Sequence, residues 1–107
     1  MVSEIFWTDT AKLSVKIIFN YYRKNVNILF AEKIKIKIFE KLNILISHPQ
    51  IGAKEDLLSD FKNQYRYLVS GNYKIVYFIA DKRIIISLVF DTRQNPQKLK
   101  DIIKTTK

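Results

Sequence analysis

The chain has no cysteine, one histidine, two glycines and two prolines among its 107 residues. The absence of cysteine excludes disulfides and thiolate chemistry, and one histidine with scattered carboxylates does not supply a zinc ligand set. Two glycines are too few for a glycine-rich loop that cradles phosphates, which disfavours nucleotide cofactors. The sequence therefore predicts a protein that uses no metal and no cofactor.

Long apolar runs are also missing. No stretch approaches the ~20 apolar residues that a membrane-spanning helix needs. The first ten residues, MVSEIFWTDT, lack the basic start and apolar middle of a secretory signal. We therefore expect a single domain over residues 1–107, located in the cytoplasm and without membrane association.

Positive charge is present in excess. Nineteen Lys and Arg against ten Asp and Glu give a formal net charge of +9. A field of that sign attracts polyanions or an acidic protein, so RNA, DNA and an acidic partner all remain candidates. The alternative is a lysine-rich surface that only keeps the protein soluble.

Hydrophobic periodicity predicts helices in the first half of the chain. Residues 3–7, SEIFW, alternate like a short strand, and Thr8 and Asp9 are suitable N-cap residues for a helix. A second helix is predicted over about residues 28–47. Within it, residues 33–39, KIKIKIF, alternate like a strand, but the longer window favours a helix. The first helix shows its apolar face at Ala11, Val15, Ile18 and Tyr22.

The period changes to two in the second half. Residues 49–62 contain a proline, a glycine and several acids, which predict a loop with one helical turn near EDLLSDF. Three strands follow, QYRYLVS, YKIVYFIA and RIIISLVF, joined by two-residue turns at Gly71–Asn72 and Asp81–Lys82. A terminal helix is predicted to start at Asn95–Pro96, with an N-cap residue followed by proline.

This order predicts an α+β fold, β-α-α-β-β-β with a short C-terminal helix. The N-terminal strand and a two-helix hairpin are expected to pack on one face of an antiparallel sheet. Strict alternation assigns the side chains of the last three strands to two faces, provided that no bulge reverses it. The face under the helices receives Leu68, Ile75, Ile79, Ile84, Ile86, Leu88 and Phe90. The second face receives Tyr65, Tyr67, Val69, Lys74, Val76, Phe78, Ile85, Ser87, Val89 and Arg93.

The second face carries the candidate chemistry. A basic site of this kind can cleave RNA without a metal, because the 2′-hydroxyl is the nucleophile and cations neutralise the phosphorane. Tyrosine and arginine on a sheet surface suit a protein partner equally well. For Arg93 the alternative is a structural pairing with Asp91. The candidate site consists of Tyr65, Arg66, Tyr67, Lys74 and Arg93.

Four segments resemble the RelE/ParE superfamily of toxins from bacterial type II toxin-antitoxin modules. They are FWTDTAKL near the start, HPQIG after the second predicted helix, YRYLVSGNYKIVYFI across the first hairpin, and VFDTRQNPQKL near the end. The likeness spans almost the whole chain and is strongest from Arg66 to Tyr77. It implies a helical pair packed on an antiparallel sheet, and it favours a helix for residues 33–39.

The resemblance implies a toxin held inactive by a cognate acidic antitoxin, in a toxin-antitoxin hetero-oligomer. ParE-type members inhibit DNA gyrase, whereas RelE-type members cut mRNA on the ribosome. A RelE ribonuclease has lysines where this chain has Tyr65 and Tyr67, and an arginine where it has Lys74. Arg93 is retained, but the tyrosine expected near Leu99 is missing. The segments YRYLVSGNYKIVY and RQNP look closer to ParE-type sequences.

We therefore predict a ParE-like toxin that inhibits gyrase, with the five residues of the candidate site in contact with the target. The alternative is a RelE-like, metal-independent endoribonuclease that acts on the ribosome and mRNA. In that case Arg93 and Lys74 would stabilise the scissile phosphate and Tyr67 would handle protons. The predicted antitoxin contacts are the apolar residues Val76, Phe78, Ile85 and Val89.

Overall fold

The computed structural model describes residues 4–106. Its strands are β1 (Glu4–Trp7), β2 (Ala53–Lys54), β3 (Arg66–Ser70), β4 (Tyr73–Ala80) and β5 (Arg83–Asp91). Its helices are α1 (Asp9–Asn25), α2 (Ile28–Lys41), α3 (Ile44–Ser47) and α4 (Pro96–Thr105), and a 3₁₀ turn spans Asp56–Leu58. The α+β fold predicted from the sequence is confirmed. Ser3, predicted as the first residue of β1, lies outside the described residues.

Side-chain caps determine where the long helices begin. Thr8 Oγ1 accepts the N–H of Ala11 at 3.1 Å and starts α1. Asn27 Oδ1 accepts the N–H of Phe30 at 2.8 Å and starts α2. Asn95 caps α4 in the same way, as predicted. Each cap satisfies a backbone donor that has no partner within its own helix.

The ambiguous segment at residues 33–39 is helical, as the longer window predicted. The helix buries Ile38 and leaves Ile36 on its exposed side. The predicted helix over residues 28–47 is interrupted, however, because α2 ends at Lys41 and α3 follows as a separate turn. Apolar spacing continues across this break at Leu42 and Leu45, which are both buried. Because the apolar spacing continues past Lys41, the sequence did not reveal where α2 ends.

The five strands lie in the order β1-β5-β4-β3-β2. The predicted meander of β3, β4 and β5 is antiparallel, with Ser70 opposite Tyr73 and Ala80 opposite Arg83. β1 runs parallel to β5, so the sheet is mixed rather than wholly antiparallel as predicted. Alternation indicates which face a side chain occupies but not the direction of its strand. The two-residue strand β2 lies in the predicted loop and pairs with β3.

A bulge in β5 changes the faces of the residues that follow it. The pairing of β5 with β4 skips one residue between Ile86 and Leu88, which leaves Ser87 unpaired. Alternation is reversed beyond such a bulge. Leu88 and Phe90, predicted to lie under the helical hairpin, belong to the core on the opposite face. Val89, predicted on the second face, belongs to the core under the hairpin.

Helices cover both faces of the sheet. The hairpin packs on one face, as predicted, through a core that includes Ala11, Val15, Ile38, Ile75, Tyr77, Ile84 and Ile86. The sequence predicted that the second face would be open, but this face is covered as well. The 3₁₀ turn and α4 pack on it, because Leu99 and Ile103 are one helical turn apart and both face the sheet. The second core also contains Leu58, Val76, Leu88 and Phe90.

Candidate functional site

Helix α1 has a groove on each of its two flanks. Its inward face, which includes Ala11, Val15, Ile18 and Tyr22, packs on the sheet. The α1 residues on one side of this inward face line the first groove, and those on the other side line the second. The first groove contains Arg93, and the second was not foreseen from the sequence.

The first groove, with a volume of about 520 Å³, lies between α1 and α4 beside the end of β5. Over the described residues β1 pairs with Arg83–Ile86 of β5, so the later residues of β5 have a neighbouring strand on the β4 side alone in that part of the chain. Ser14, Ile17 and Tyr21 line this groove from α1, and Lys98 and Ile102 line it from α4. We call it the β5 groove.

Hydroxyl side chains join α1 to the part of β5 that lacks this strand neighbour. Ser14 Oγ accepts the N–H of Val89 at 3.0 Å and donates to the Ala11 carbonyl at 2.7 Å. Thr8 Oγ1 donates to the carbonyl of Ile86 at 2.9 Å. A buried backbone amide needs a partner, and here a helix side chain replaces a strand. The position of α1 is thereby fixed on β5.

Arg93 lines the β5 groove and is paired with Asp91. Its Nε donates to Oδ1 at 3.0 Å and its Nη2 donates to Oδ2 at 2.8 Å. The hydrogen bond from the Arg93 side chain lowers the pKa of Asp91, and the hydrogen bond to Asp91 raises the pKa of Arg93. The structural pairing considered from the sequence is therefore present. The Arg93 side chain nevertheless remains 56% exposed.

A tyrosine pair lies beside this ion pair. The Tyr73 hydroxyl donates to the Tyr22 hydroxyl at 2.9 Å. Burial raises the pKa of Tyr73, and the hydrogen bond with Tyr22 raises it further. A tyrosine held neutral in this way is no general base near pH 7. The β5 groove therefore offers apolar surface, hydroxyls and an ion pair.

Lys74 and Tyr67 meet on the opposite face of the sheet. Lys74 Nζ lies 4.3 Å from the centre of the Tyr67 ring and 2.7 Å from Glu55 Oε2. The Glu55 residue is only 5% exposed, and its carboxylate also accepts the N–H of Leu57 at 3.3 Å. The charge of Lys74 is thus already balanced by a buried acid. Glu55 was not foreseen, since nothing in the acidic segment KEDLLSD distinguishes it from its neighbours.

The predicted shared face of Lys74 and Arg93 is wrong. Lys74 is paired in the sheet with Phe90, which belongs to the core under α4. Arg93 hydrogen bonds to Asp91, whose sheet partner Tyr73 belongs to the core under the hairpin. The reversal follows from the bulge described above, because residues beyond it change faces. The two cations do not converge on one site.

Tyr65 and Arg66 have structural contacts. The Tyr65 ring packs edge-on against Phe78 at 5.3 Å. The Arg66 guanidinium donates to the carbonyls of Gln50 at 3.2 Å and Gly52 at 2.8 Å. These bonds hold the loop that precedes β2 against β3. Neither residue approaches Arg93 through any of these contacts.

The predicted antitoxin contacts do not form a common exposed surface. Val76 is fully buried in the core under α4, and Val89 is buried in the core under the hairpin. Ile85 is buried as well, and Phe78 is partly covered by Tyr65. Burial by α4 and the change of face at Ser87 explain this outcome.

The second groove lies on the other flank of α1, between α1, α2 and β1, and has a volume of about 400 Å³. Trp7 and Phe39 pack at 5.1 Å between ring centres, and Lys35 Nζ lies 5.4 Å from the centre of the Phe19 ring. We call it the aromatic groove. The four-residue spacing of its lysines along α1 was the available signal in the sequence. Its lining consists of Trp7, Lys12, Val15, Lys16, Phe19, Lys35 and Phe39.

Residues 4–106 contain neither a metal-binding cluster nor a membrane-spanning helix. Within that range no group of three or more His, Cys, Asp or Glu side chains is placed to hold a metal ion. Over the same residues no helix combines the length and apolar character needed to cross a membrane.

Two comparisons with known proteins give a consistent result. The family model described as "ParE toxin of type II toxin-antitoxin system, parDE" matches residues 5–96. The fold is similar to that of a chain in the solved structure "Chromosomal ParDE TA system from P. aeruginosa". That match has a TM-score of 0.70 and 22% identity, and covers 85% of this chain and 96% of the other. No curated protein matches the sequence.

Proposed function

Because this chain belongs to the ParE toxin family of type II toxin-antitoxin systems, we propose that it inhibits DNA gyrase by binding to it. Membership of such a family implies an antitoxin partner, and we propose that a cognate antitoxin neutralises the toxin in a hetero-oligomer. The proposal places the protein in the cytoplasm, where gyrase acts on DNA. The separation of Lys74 and Arg93 is the observation that carries it.

Metal-free cleavage of RNA requires cations that converge on one phosphate, together with a group that accepts a proton. Here Lys74 lies on one face of the sheet in contact with a buried carboxylate, and Arg93 is bound by Asp91 beside the other face. At each position a carboxylate already neutralises the cation, Glu55 at Lys74 and Asp91 at Arg93. This arrangement supports action through binding rather than through catalysis.

The exposed side of the β5 groove supports the same proposal. Ile17 and Tyr21 lie one turn apart on α1, are 60% and 57% exposed, and line the groove with Arg93. Tyrosine and arginine beside apolar groups are the residues that most often anchor protein interfaces. Of the residues predicted to contact the target, Arg93 is therefore the one that we retain as an anchor.

The distribution of charge favours attraction to a DNA-bound enzyme. Helices α1 and α2 together carry eight Lys or Arg and three Asp or Glu, so much of the net charge lies on the hairpin. Such a field accelerates encounter with an anionic complex. In this proposal the charge steers the toxin and the β5 groove forms the contact.

One pair of assays tests the proposal. We expect the purified toxin to block supercoiling by gyrase at near-stoichiometric amounts and to leave mRNA intact in a translating extract. Arg93→Ala should weaken the block by tenfold or more, because loss of an anchor residue costs about 2 kcal/mol. Arg23→Ala is the matched control, because Arg23 is an exposed arginine in the last turn of α1 that does not line the β5 groove, and it should behave like the wild type.

The opposite result would support the RelE-like alternative. Codon-linked cleavage of mRNA that disappears in Arg93→Ala, with supercoiling unaffected by the wild-type protein, would overturn the gyrase proposal. Equal potency of Arg93→Ala and wild type against gyrase would instead remove Arg93 from the contact.

A further inference from the structure

We propose that a cavity on the second face of the sheet binds a small aryl carboxylate with a hydrogen-bond donor at the end opposite its carboxylate. The cavity lies on the part of this face that α4 does not cover, and it extends along β5 from Arg83 to Ser87. Its volume of about 420 Å³ is within the range of small-molecule sites. We call it the second-face cavity. This inference goes beyond the proposed function and does not depend on it.

Apolar side chains form a row across the sheet at the centre of the cavity. Phe6 of β1 is paired with Ile85 of β5, and Ile85 is paired with Phe78 of β4. The Phe78 ring packs edge-on against Tyr65 at 5.3 Å, which extends the row by one more ring. Phe6 remains 47% exposed. Because aromatic rings bury much apolar area and prefer offset or edge-on partners, this row favours an aryl group.

The hydroxyl of Ser87 lies at one end of the row. Ser87 is only 7% exposed, and the bulge in β5 places it on the same face as Ile85, since both residues line the cavity. Its carbonyl accepts a hydrogen bond from Thr8 Oγ1 at 3.3 Å. Its hydroxyl makes no hydrogen bond to any residue in 4–106, and the oxygen is accessible from the cavity. A polar group of a ligand would satisfy this hydroxyl.

Arg83 supplies a cation at the opposite end of the row. Its side chain is 38% exposed, and its guanidinium carbon lies 5.2 Å from the centre of the Phe6 ring. The carboxylate of Glu4 approaches Arg83 Nε at 3.9 Å, which is too far for a hydrogen bond. A guanidinium presents its N–H donors in a planar fork that matches a carboxylate. Arg83 therefore has donors available for an anionic ligand.

The charged groups of the cavity determine the orientation of the ligand. Asp9 lines the cavity as well as Arg83. The N–H of Thr8 donates to the carbonyl of Ile86 at 3.1 Å. Because Asp9 and Ser87 each follow one of these residues, the acid lies at the hydroxyl end of the row. A carboxylate is favoured beside Arg83, and a donor is favoured at the other end. A single guanidinium matches a carboxylate better than a phosphate, whose charge is about −1.5 to −2.

Helix α4 borders the second-face cavity and connects it to the β5 groove. Ile103 lines the cavity, whereas Lys98 and Ile102 on the same helix line the β5 groove. A ligand that binds only the folded protein stabilises it by mass action. We therefore expect occupancy of the cavity to hold α4 on the sheet and to raise the thermal midpoint.

Three probe compounds that share one ring and differ at their ends test the proposal. 3-(4-Hydroxyphenyl)propionate has both groups, 3-phenylpropionate lacks the donor, and tyramine has an ammonium in place of the carboxylate. Each is titrated into the full-length protein, and amide signals are followed by NMR. The first should bind saturably, with a Kd of about 1 mM or lower. 3-Phenylpropionate should bind at least threefold more weakly and tyramine at least tenfold more weakly. The shifts should centre on Arg83, Ser87 and Ile103.

Two substitutions assign the two ends of the ligand. Arg83→Gln should weaken the binding of both carboxylates at least tenfold and leave the weaker binding of tyramine unchanged. Ser87→Ala should bind the two carboxylates equally well, because the hydroxyl that distinguishes them is gone. Arg23→Gln and Ser70→Ala are the matched controls, since neither residue lines the cavity, and both should retain the wild-type order of affinities. The amide spectrum of each variant establishes that the fold is retained.

Three results would overturn the proposal. Equal affinity for the three compounds, or shifts that do not saturate, would show that the cavity selects no ligand. A preference for tyramine would show that Asp9 rather than Arg83 determines the charge of the ligand. An undiminished preference of Ser87→Ala for the hydroxyl compound would show that Ser87 does not contact it. No arm measures inhibition of gyrase, so the result is independent of the proposed function.

Discussion

The two grooves beside α1 share a helix but differ in the polar groups that they contain. In the β5 groove the helix presents a serine hydroxyl and exposed apolar side chains to an ion pair at the end of a strand. In the aromatic groove the same helix presents two lysines to a floor of rings. Residues four apart form one row along a helix, so alternate rows can carry different chemistry. A single helix can thereby present two different surfaces.

The same comparison explains why the apolar surface of α1 extends beyond the face that packs on the sheet. Its inward row is apolar, but one flank adds Ile17 and Tyr21 to the apolar set and the other adds Lys12 and Lys16. An ordinary surface helix would be polar on both flanks. The exposed apolar residues on the β5 side therefore indicate a contact surface rather than a packing error.

A change beneath α1 should abolish both grooves at once, and we expect this to be the largest effect. Ala11 is fully buried between α1 and the sheet, so Ala11→Leu introduces a larger side chain where there is no space. Overpacking of this kind costs about 1–3 kcal/mol, and we expect a loss of about 3 kcal/mol because the backbone is tied to β5 beside it. Urea unfolding measures the loss, gyrase inhibition should decline, and the emission of Trp7, which lines the aromatic groove, should shift.

Leu13→Ala is the control for this prediction, since Leu13 is exposed on the outer side of the same helix. It should change stability by less than about 0.5 kcal/mol. An Ala11→Leu protein that lost gyrase inhibition and kept the wild-type Trp7 emission would contradict the idea that α1 supports both grooves.

Removing one hydroxyl should separate the two grooves. Ser14→Ala leaves the buried N–H of Val89 without its partner and should cost about 1–2 kcal/mol. Amide hydrogen exchange at Val89 should accelerate and gyrase inhibition should weaken, while the emission of Trp7, which lines the aromatic groove, stays unchanged. Ser47→Ala, at an exposed position of α3, should change neither property. Unchanged exchange at Val89 in Ser14→Ala would show that this bond does not hold the groove.

The smallest effect should come from the ion pair in the β5 groove, and it should depend on pH. Hydrogen bonds from Arg93 lower the pKa of Asp91 below its ordinary value of 3.8. The pair therefore stabilises the protein at pH values above 3.8, and this contribution is lost as the pH falls through the lower pKa of the folded state. As the pH is lowered through the acid range, the thermal midpoint of Asp91→Asn should fall less steeply than that of the wild type.

Asp101→Asn serves as the comparison here, because Asp101 is an exposed carboxylate on α4. It should leave the acid limb close to that of wild type. A slope for Asp91→Asn equal to that of wild type would mean that the ion pair contributes nothing to folding in acid.

Most of the secondary structure could be predicted from the sequence, because local rules determine it. Two-residue turns at Gly71–Asn72 and Asp81–Lys82 fixed the meander, and the caps at Thr8 and Asn95 fixed two helix starts. Those signals depend on residues within a few positions of each other. The helical state of residues 33–39 needed the longer window, since the local alternation pointed to a strand.

The candidate site could be predicted only in part, because its geometry depends on long-range relations. Arg93 was identified, but its distance from Lys74 depends on one unpaired residue, Ser87, in a run of apolar letters. The partner of Lys74 is Glu55, 19 positions away. The parallel pairing of β1 with β5 joins residues almost 80 positions apart, as for Glu4 and Arg83. None of these relations leaves a periodic trace in the sequence.

The parallel pairing of β1 with β5 also has a consequence for when the protein becomes active during synthesis. β1 and α1 leave the ribosome first. The strand against which they pack is β5, which is synthesised almost last. Contacts of such long sequence separation form late in folding. The β5 groove therefore forms only after translation has passed Ile102, because α4 supplies part of its lining. A nascent chain that has not reached α4 therefore lacks a complete β5 groove, the surface that we propose contacts gyrase.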